Sequence, residues 1–68
     1  MSEIKVILNN IEQVTKETNL DKFLNTIPNI PAVFAVAVNG EIIPLEEREH
    51  ITLKDKDIVD VFAFMAGG

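Results

Sequence analysis

Apolar residues take every second position at the start of the chain. Ile4, Val6 and Leu8 are separated by Lys5 and Ile7 and preceded by Glu3, the period-2 pattern of a strand with one buried face. Asn9-Asn10 comes next, and asparagine tolerates positive φ, so a tight turn is predicted there. Ile11 to Thr15 is then the returning strand of a hairpin. From Leu20 the period changes: Leu20, Phe23, Leu24 and Ile27 recur at i, i+3, i+4 and i+7, a single apolar stripe with Lys22 and Asn25 facing out. Thr18 or Asn19 can cap the free amides at the start of this helix, and Asp21 suits the positive end of its dipole. Pro28 stops the helix and Pro31 keeps the connection extended. So short a helix is not stable alone and needs a sheet to lie on.

Val33 to Val38 reads as a buried or half-buried strand, closed by Asn39-Gly40. Glu41, Ile42 and Ile43 can form a short strand beyond that turn, ended by Pro44. Leu45 to Glu49 is a charged loop or a single helical turn, Leu53 to Asp57 is polar turn material, and Ile58 to Met65 is the last strong strand. The predicted order is strand, strand, helix, strand, short strand, strand. One helix across one face of a mixed sheet is an α+β layout, and the ubiquitin-like β-grasp fold has this order of elements.

Side chains alternate across a sheet, so the last strand sorts into two sets. Val59, Val61, Ala63 and Met65 form one; Ile58, Asp60, Phe62 and Phe64 form the other. Burying an unpaired Asp60 carboxylate is expensive, so its set is expected to face away from the helix, leaving Phe62 and Phe64 on the outer face. On the preceding long strand, Phe34, Val36 and Val38 are the bulky set suited to a core, while Ala35 and Ala37 are small. A flat alanine surface beside exposed phenylalanine describes a docking face for another protein. The alternative is that the aromatics turn inward.

Composition narrows the function classes. The chain has 68 residues, no cysteine and one histidine, His50. A chain this small buries only roughly 60% of the surface that its unfolded form exposes. With neither a disulfide nor an obvious zinc site, packing must hold it together, in keeping with its 47% hydrophobic content. A thiol catalyst within the chain is excluded. The longest apolar run, Ala32 to Val38, is far short of the ~20 residues that a membrane helix needs. The first residues also lack the basic start and apolar stretch of a signal peptide. The expected protein is cytoplasmic, with no membrane and no nucleic-acid partner, because a net charge of -5 opposes phosphate binding. An acidic surface favours a basic protein partner; it also keeps a small domain soluble.

Ala66-Gly67-Gly68 follows the last strand directly. Lacking a β-carbon, glycine has wide conformational freedom and a narrow cross-section, and both properties let a carboxyl terminus enter another enzyme's tunnel. A terminal Gly-Gly alone is a weak signal. Its position after the last strand of a β-grasp pattern makes it informative. The expected division is a domain over residues 1–66 and a tail over residues 67–68.

Here the sequence resembles the ThiS sulfur carriers of thiamine biosynthesis and their relative MoaD, the small subunit of molybdopterin synthase. The matching residues are Val36-Ala37-Val38-Asn39-Gly40-Glu41-Ile42-Ile43-Pro44 and Phe62 to Gly68, with Ala66-Gly67-Gly68 matching best. The first half matches in pattern, including the Leu8-Asn9-Asn10 turn, and the compact size is closer to ThiS. The chain departs from the family at Leu45, where a basic residue is common, and at Lys56-Asp57, where Gly-Asp is usual. It also departs in Glu46-Glu47-Arg48-Glu49, where a tryptophan or other large residue is frequent.

The resemblance implies that an E1-like, ThiF-like adenylyltransferase uses ATP and magnesium to adenylate Gly68. Persulfide sulfur from a donor such as a cysteine desulfurase then yields a thiocarboxylate, and a ThiG-like thiazole synthase receives the sulfur. The chain itself would be a protein substrate and carrier with no catalytic residue and no bound cofactor, monomeric when free. Gly68 is the expected site of modification, with Ala66 and Gly67 as the tail. Phe62, Phe64, Ala35 and Ala37 are the expected partner-binding residues. Related readings are a carrier for molybdopterin, a tungsten cofactor or amino-acid biosynthesis; a ubiquitin-like modifier of other proteins; and a β-grasp interaction domain with an inert tail.

The remaining signals are bland. Asp55-Lys56-Asp57 lacks the glycine and further ligands of a calcium loop and reads as a solvated turn. His50 beside Glu49 has no nucleophile motif nearby. Glu46, Glu47 and Glu49 read as a solvated loop, or as a contact for a basic patch. Gly40, Gly67 and Gly68 make no phosphate-binding loop, which places the ATP site on the activating enzyme.

Overall fold

The computed structural model describes residues 3–28 and 30–63. The alternating first segment forms strand β1 (Ile4–Leu8), and Ile11–Thr15 returns as β2. Asn9 and Asn10 between them have φ of 49° and 70°, the double left-handed geometry of a type I′ turn, whose twist matches the strands it joins. Helix α1 (Leu20–Asn25) follows, with Asn19 as its N-cap: the Asn19 Oδ1 accepts the Lys22 amide at 3.1 Å. Strand β3 (Phe34–Val38) and strand β4 (Glu41–Ile43) form a second hairpin across Asn39 (φ 53°) and Gly40 (φ 85°). A 3-10 helix over Leu45–His50 precedes the last strand, β5 (Asp57–Ala63).

The five strands make one mixed sheet in the order β2-β1-β5-β3-β4. The last strand in sequence is therefore the central one in space. It runs parallel to β1, with Ile7 beside Ile58, and antiparallel to β3, with Val36 opposite Val61. Helix α1 packs its stripe on one face. Val6, Leu8, Leu20, Phe23, Leu24, Val36, Ile43, Leu53 and Val59 form the core. This is the expected α+β, β-grasp layout, and the hairpins and helix lie where periodicity placed them. Ile27 lies beyond the helix end yet still packs against the core.

Two asparagines secure the central strand. Beyond the Leu8–Val59 pair, the Asn9 amide donates to the Val59 carbonyl at 3.0 Å, and its Oδ1 accepts the Val61 amide at 2.8 Å. The side chain thus extends the ladder where the backbone turns away. On the other side, the Asn39 amide donates to the Ile58 carbonyl at 2.7 Å and Oδ1 accepts the Ile58 amide at 2.9 Å. Asn39 Nδ2 also donates to Asp57 Oδ1 at 3.0 Å.

Two segments differ from expectation. Leu53 belongs to the core and not to a polar turn, because the chain from Ile51 to Leu53 is tied to the start of α1. The Leu20 amide donates to the Ile51 carbonyl at 3.0 Å and the Leu53 amide to the Thr18 carbonyl at 2.6 Å. Asn19 Nδ2 adds a bond to the Glu49 carbonyl at 2.8 Å. In the 3-10 helix, Leu45 is exposed while Arg48 is only 8% exposed. The Arg48 guanidinium lies 4.3 Å from the Phe34 ring centroid, and Nη2 donates to the Phe34 carbonyl at 2.7 Å. Stacking on an aromatic face and donating to a carbonyl is a combination that a planar, weakly hydrated cation tolerates when buried. Glu46, Glu47 and Glu49 are exposed, as a solvated segment requires.

These contacts predict a graded response in urea unfolding. Asn9→Gly keeps the turn geometry but loses the bond to Val61, costing about 1 kcal/mol. Asn9→Ala also strains the left-handed backbone and costs about 1–2 kcal/mol more. Leu53→Ala opens a core cavity and costs about 2–5 kcal/mol.

Candidate functional site

The helix seals one face of the sheet and leaves the other open among the described residues. Register assigns the open face directly. Ala35 lies opposite Phe62 and Ala37 opposite Asp60, while Ile42 pairs with Ala37 and Ile7 with Ile58. At the far edge Val14 pairs with Lys5. The core-facing partners on β5 are Val59, fully buried, and Val61, which packs against the core. The expected parity of the last strand therefore holds over its described length, and Phe62 is 50% exposed on the open side.

The surface that results is more aliphatic than the sequence suggested. Val14, Ile42 and Ile58 are large, exposed and on the same face as Phe62. Ala35 is half-buried beside Phe62, but Ala37 is only 4% exposed. Flanked by Asp60 and Ile42, Ala37 contributes flatness and almost no contact area. Exposed apolar side chains thus occur on several strands of the open face. Ile58 was readable from parity. Val14 and Ile42 were not, because their face follows from which strand lies beside which.

Charges are sparse on this face. Lys5 Nζ and Glu12 Oε1 lie 3.8 Å apart on the β1–β2 side, both substantially solvated, so they offset each other weakly. Asp60 sits half-buried between Ile58 and Phe62 along the strand. His50 is exposed, with Nε2 3.6 Å from Glu49 Oε1. Among the described residues no group of three or more His, Cys, Asp or Glu side chains converges to hold a metal ion. An apolar hollow of about 250 Å³ lies on the helix side, between Ile27, Pro28, Ile30 and the ends of β1 and β5. It gathers no nucleophile or acid–base pair. No described helix is long and apolar enough to cross a membrane.

Of the residues expected at the site, Phe62, Ala35 and Ala37 come together on the open face. Phe64, Ala66, Gly67 and Gly68 lie outside the described residues, as does the expected boundary at residue 66. Strand β5 carries Phe62 and leads directly toward them in sequence.

Comparisons with known proteins bear on the family and the fold. The family model described as "ThiS family" matches residues 2–68. Among solved structures, the chain is similar to the thiamine biosynthesis protein ThiS from Geobacter metallireducens. The two are 26% identical with a TM-score of 0.81, over 96% of this chain and 100% of that one. No curated protein matches the sequence.

Because the exposed residues of the open face lie outside the core, they can be changed without unfolding the protein. Phe62→Ala and Ile42→Ala are each expected to shift unfolding free energy by less than about 1 kcal/mol, measured by urea titration.

Proposed function

The chain belongs to the ThiS family, and from that membership we propose that it is a sulfur carrier of thiamine biosynthesis, loaded at the Gly68 carboxylate. The observation that carries the reading is the family match over residues 2–68, which takes in the Gly67-Gly68 pair. The open apolar face beside β5 supports it, since a protein whose terminus is worked on by other enzymes needs a surface by which they hold it.

The chemistry follows from the poor electrophilicity of a carboxylate. An E1-like activating enzyme joins the Gly68 carboxylate to the α-phosphorus of ATP, releasing pyrophosphate and leaving an acyl adenylate. The terminal sulfur of a persulfide attacks that carbonyl; a C–S bond forms as the C–O bond to AMP breaks. A thiol then splits the S–S bond of the acyl persulfide, is itself oxidised to a disulfide, and frees the thiocarboxylate. A thiazole synthase takes the sulfur. The carrier supplies no acid, base or nucleophile and acts as substrate. The absence of side chains at Gly67 and Gly68 leaves the reacting carbonyl unobstructed.

Incubation with the cognate activating enzyme, Mg-ATP and a persulfide donor tests this. Intact mass is expected to show one oxygen replaced by sulfur, localised to Gly68. Deleting Gly68 is expected to abolish loading with unfolding free energy unchanged. Failure to form an adenylate would sink the proposal. Branched peptides carrying Gly67-Gly68 on lysine would replace it with a protein-modifier role.

A further inference from the structure

The outgoing end of β5 is thinly supported among the described residues. On one side β1 pairs with β5 only as far as Val59, and the Asn9 side chain extends that support to Val61. Phe62 and Ala63 are then paired through β3 alone, to Ala35 and Phe34. That stretch of β3 is itself an edge, since β4 pairs back no further than Val36 and Pro44 comes next. Packing adds little there: Phe62 is half exposed, and Ala63 borders the open hollow beside Ile27, Ile30 and Pro31. Two strands paired only with each other are marginal in water.

Arg48 takes the place of the missing strand. Its Nη2 donates to the Phe34 carbonyl, and its guanidinium stacks on the Phe34 ring. No described carboxylate pairs with it, and its buried Nε has no hydrogen-bond partner among the described residues. An unpaired buried cation is a costly way to fill space, and an apolar side chain would be less destabilising there. What the arginine adds is one directed bond and one stacked face, both on Phe34. Phe34 lies opposite Ala63, and five residues (64–68) carry the chain from there to the Gly68 carboxylate. We infer that Arg48 is a positioning residue for loading: it braces the Phe34–Ala63 end of the sheet and so fixes where the path to Gly68 begins. This rests on Gly68 being the loaded group. With that starting point lost, a smaller fraction of bound carriers holds the carboxylate oriented for attack on ATP.

Amide hydrogen exchange and ATP–pyrophosphate exchange by the cognate activating enzyme, on the full chain, test the inference and that reading separately. Arg48→Met fills the volume without the bond or the charge. Its Ala35 and Phe62 amides are expected to exchange about tenfold faster, with those of Ala37 and Asp60 unchanged. Its kcat as carrier is expected to fall roughly fivefold or more, with KM within about twofold of the parent. A merely less stable carrier behaves otherwise: it is the substrate, so a smaller folded fraction raises KM and leaves kcat alone. Arg48→Lys keeps the charge and a donor but lacks the planar face. It is expected to lie between, and it carries the comparison should Arg48→Met unfold. Unchanged kcat overturns the inference, whether or not the two amides exchange faster. A lower kcat with unchanged exchange also overturns it, because Arg48 then acts by some route other than the strand end. If the parent is never adenylated, the carrier reading falls and the positioning role with it.

Discussion

Strand β5 enters the sheet last in sequence and occupies its centre, and its backbone is held on both sides by asparagine. Asn9 and Asn39 each close a hairpin with left-handed geometry, and each turns its side-chain oxygen onto a β5 amide, at Val61 and Ile58. The first hairpin, the second hairpin and the final strand are thereby locked into one register. The two faces of β5 depend on that register: a slip by one residue would send Asp60 into the core and Val59 to solvent. The asparagine turns are thus both the joints of the fold and the reason that it has a usable outer surface.

The two faces of the sheet are buried unequally. The helix side holds the buried apolar side chains, reinforced by the hydrogen bonds that tie Ile51–Leu53 and Glu49 to the start of α1. The open side carries Phe62, Ile58, Ile42 and Val14 without closing over them. A domain of this size has little free energy to spare, and residues outside the core can vary at small cost to folding. Arg48 shows the opposite economy: a cation drawn inside to stack on Phe34 and bond its carbonyl, next to the strand end that pairs with Ala63.

For a carrier, the useful property of such a fold is what it leaves out. Among the described residues no group of three or more His, Cys, Asp or Glu side chains converges to hold a metal ion, and the central strand leads in sequence straight toward Gly67-Gly68. The proposed division of labour places activation, sulfur supply and transfer on other proteins, and asks of this chain only a folded body and a carboxyl terminus.

Much of this was legible in the chain alone, because local rules govern it. Alternation marked β1, and the Asn9-Asn10 turn after it placed β2; β5 stood out as an apolar strand; the i, i+3, i+4 stripe marked α1, with Thr18 or Asn19 as its expected cap; Asn39-Gly40 announced the second turn. The incompatibility of Asp60 with a core separated the two faces of β5. Other features depended on residues far apart in sequence. Leu53 sits among polar neighbours and is buried only because Ile51–Leu53 lies against the start of α1. Arg48 lies in an acidic run and is buried only because Phe34 waits beneath it. Ala37 loses its surface to Asp60 and Ile42, and Val14 joins the open face through the order of the strands. Periodicity tells each strand which side to bury. The identity of its neighbour comes from the closing of the sheet, and with it the composition of the open surface.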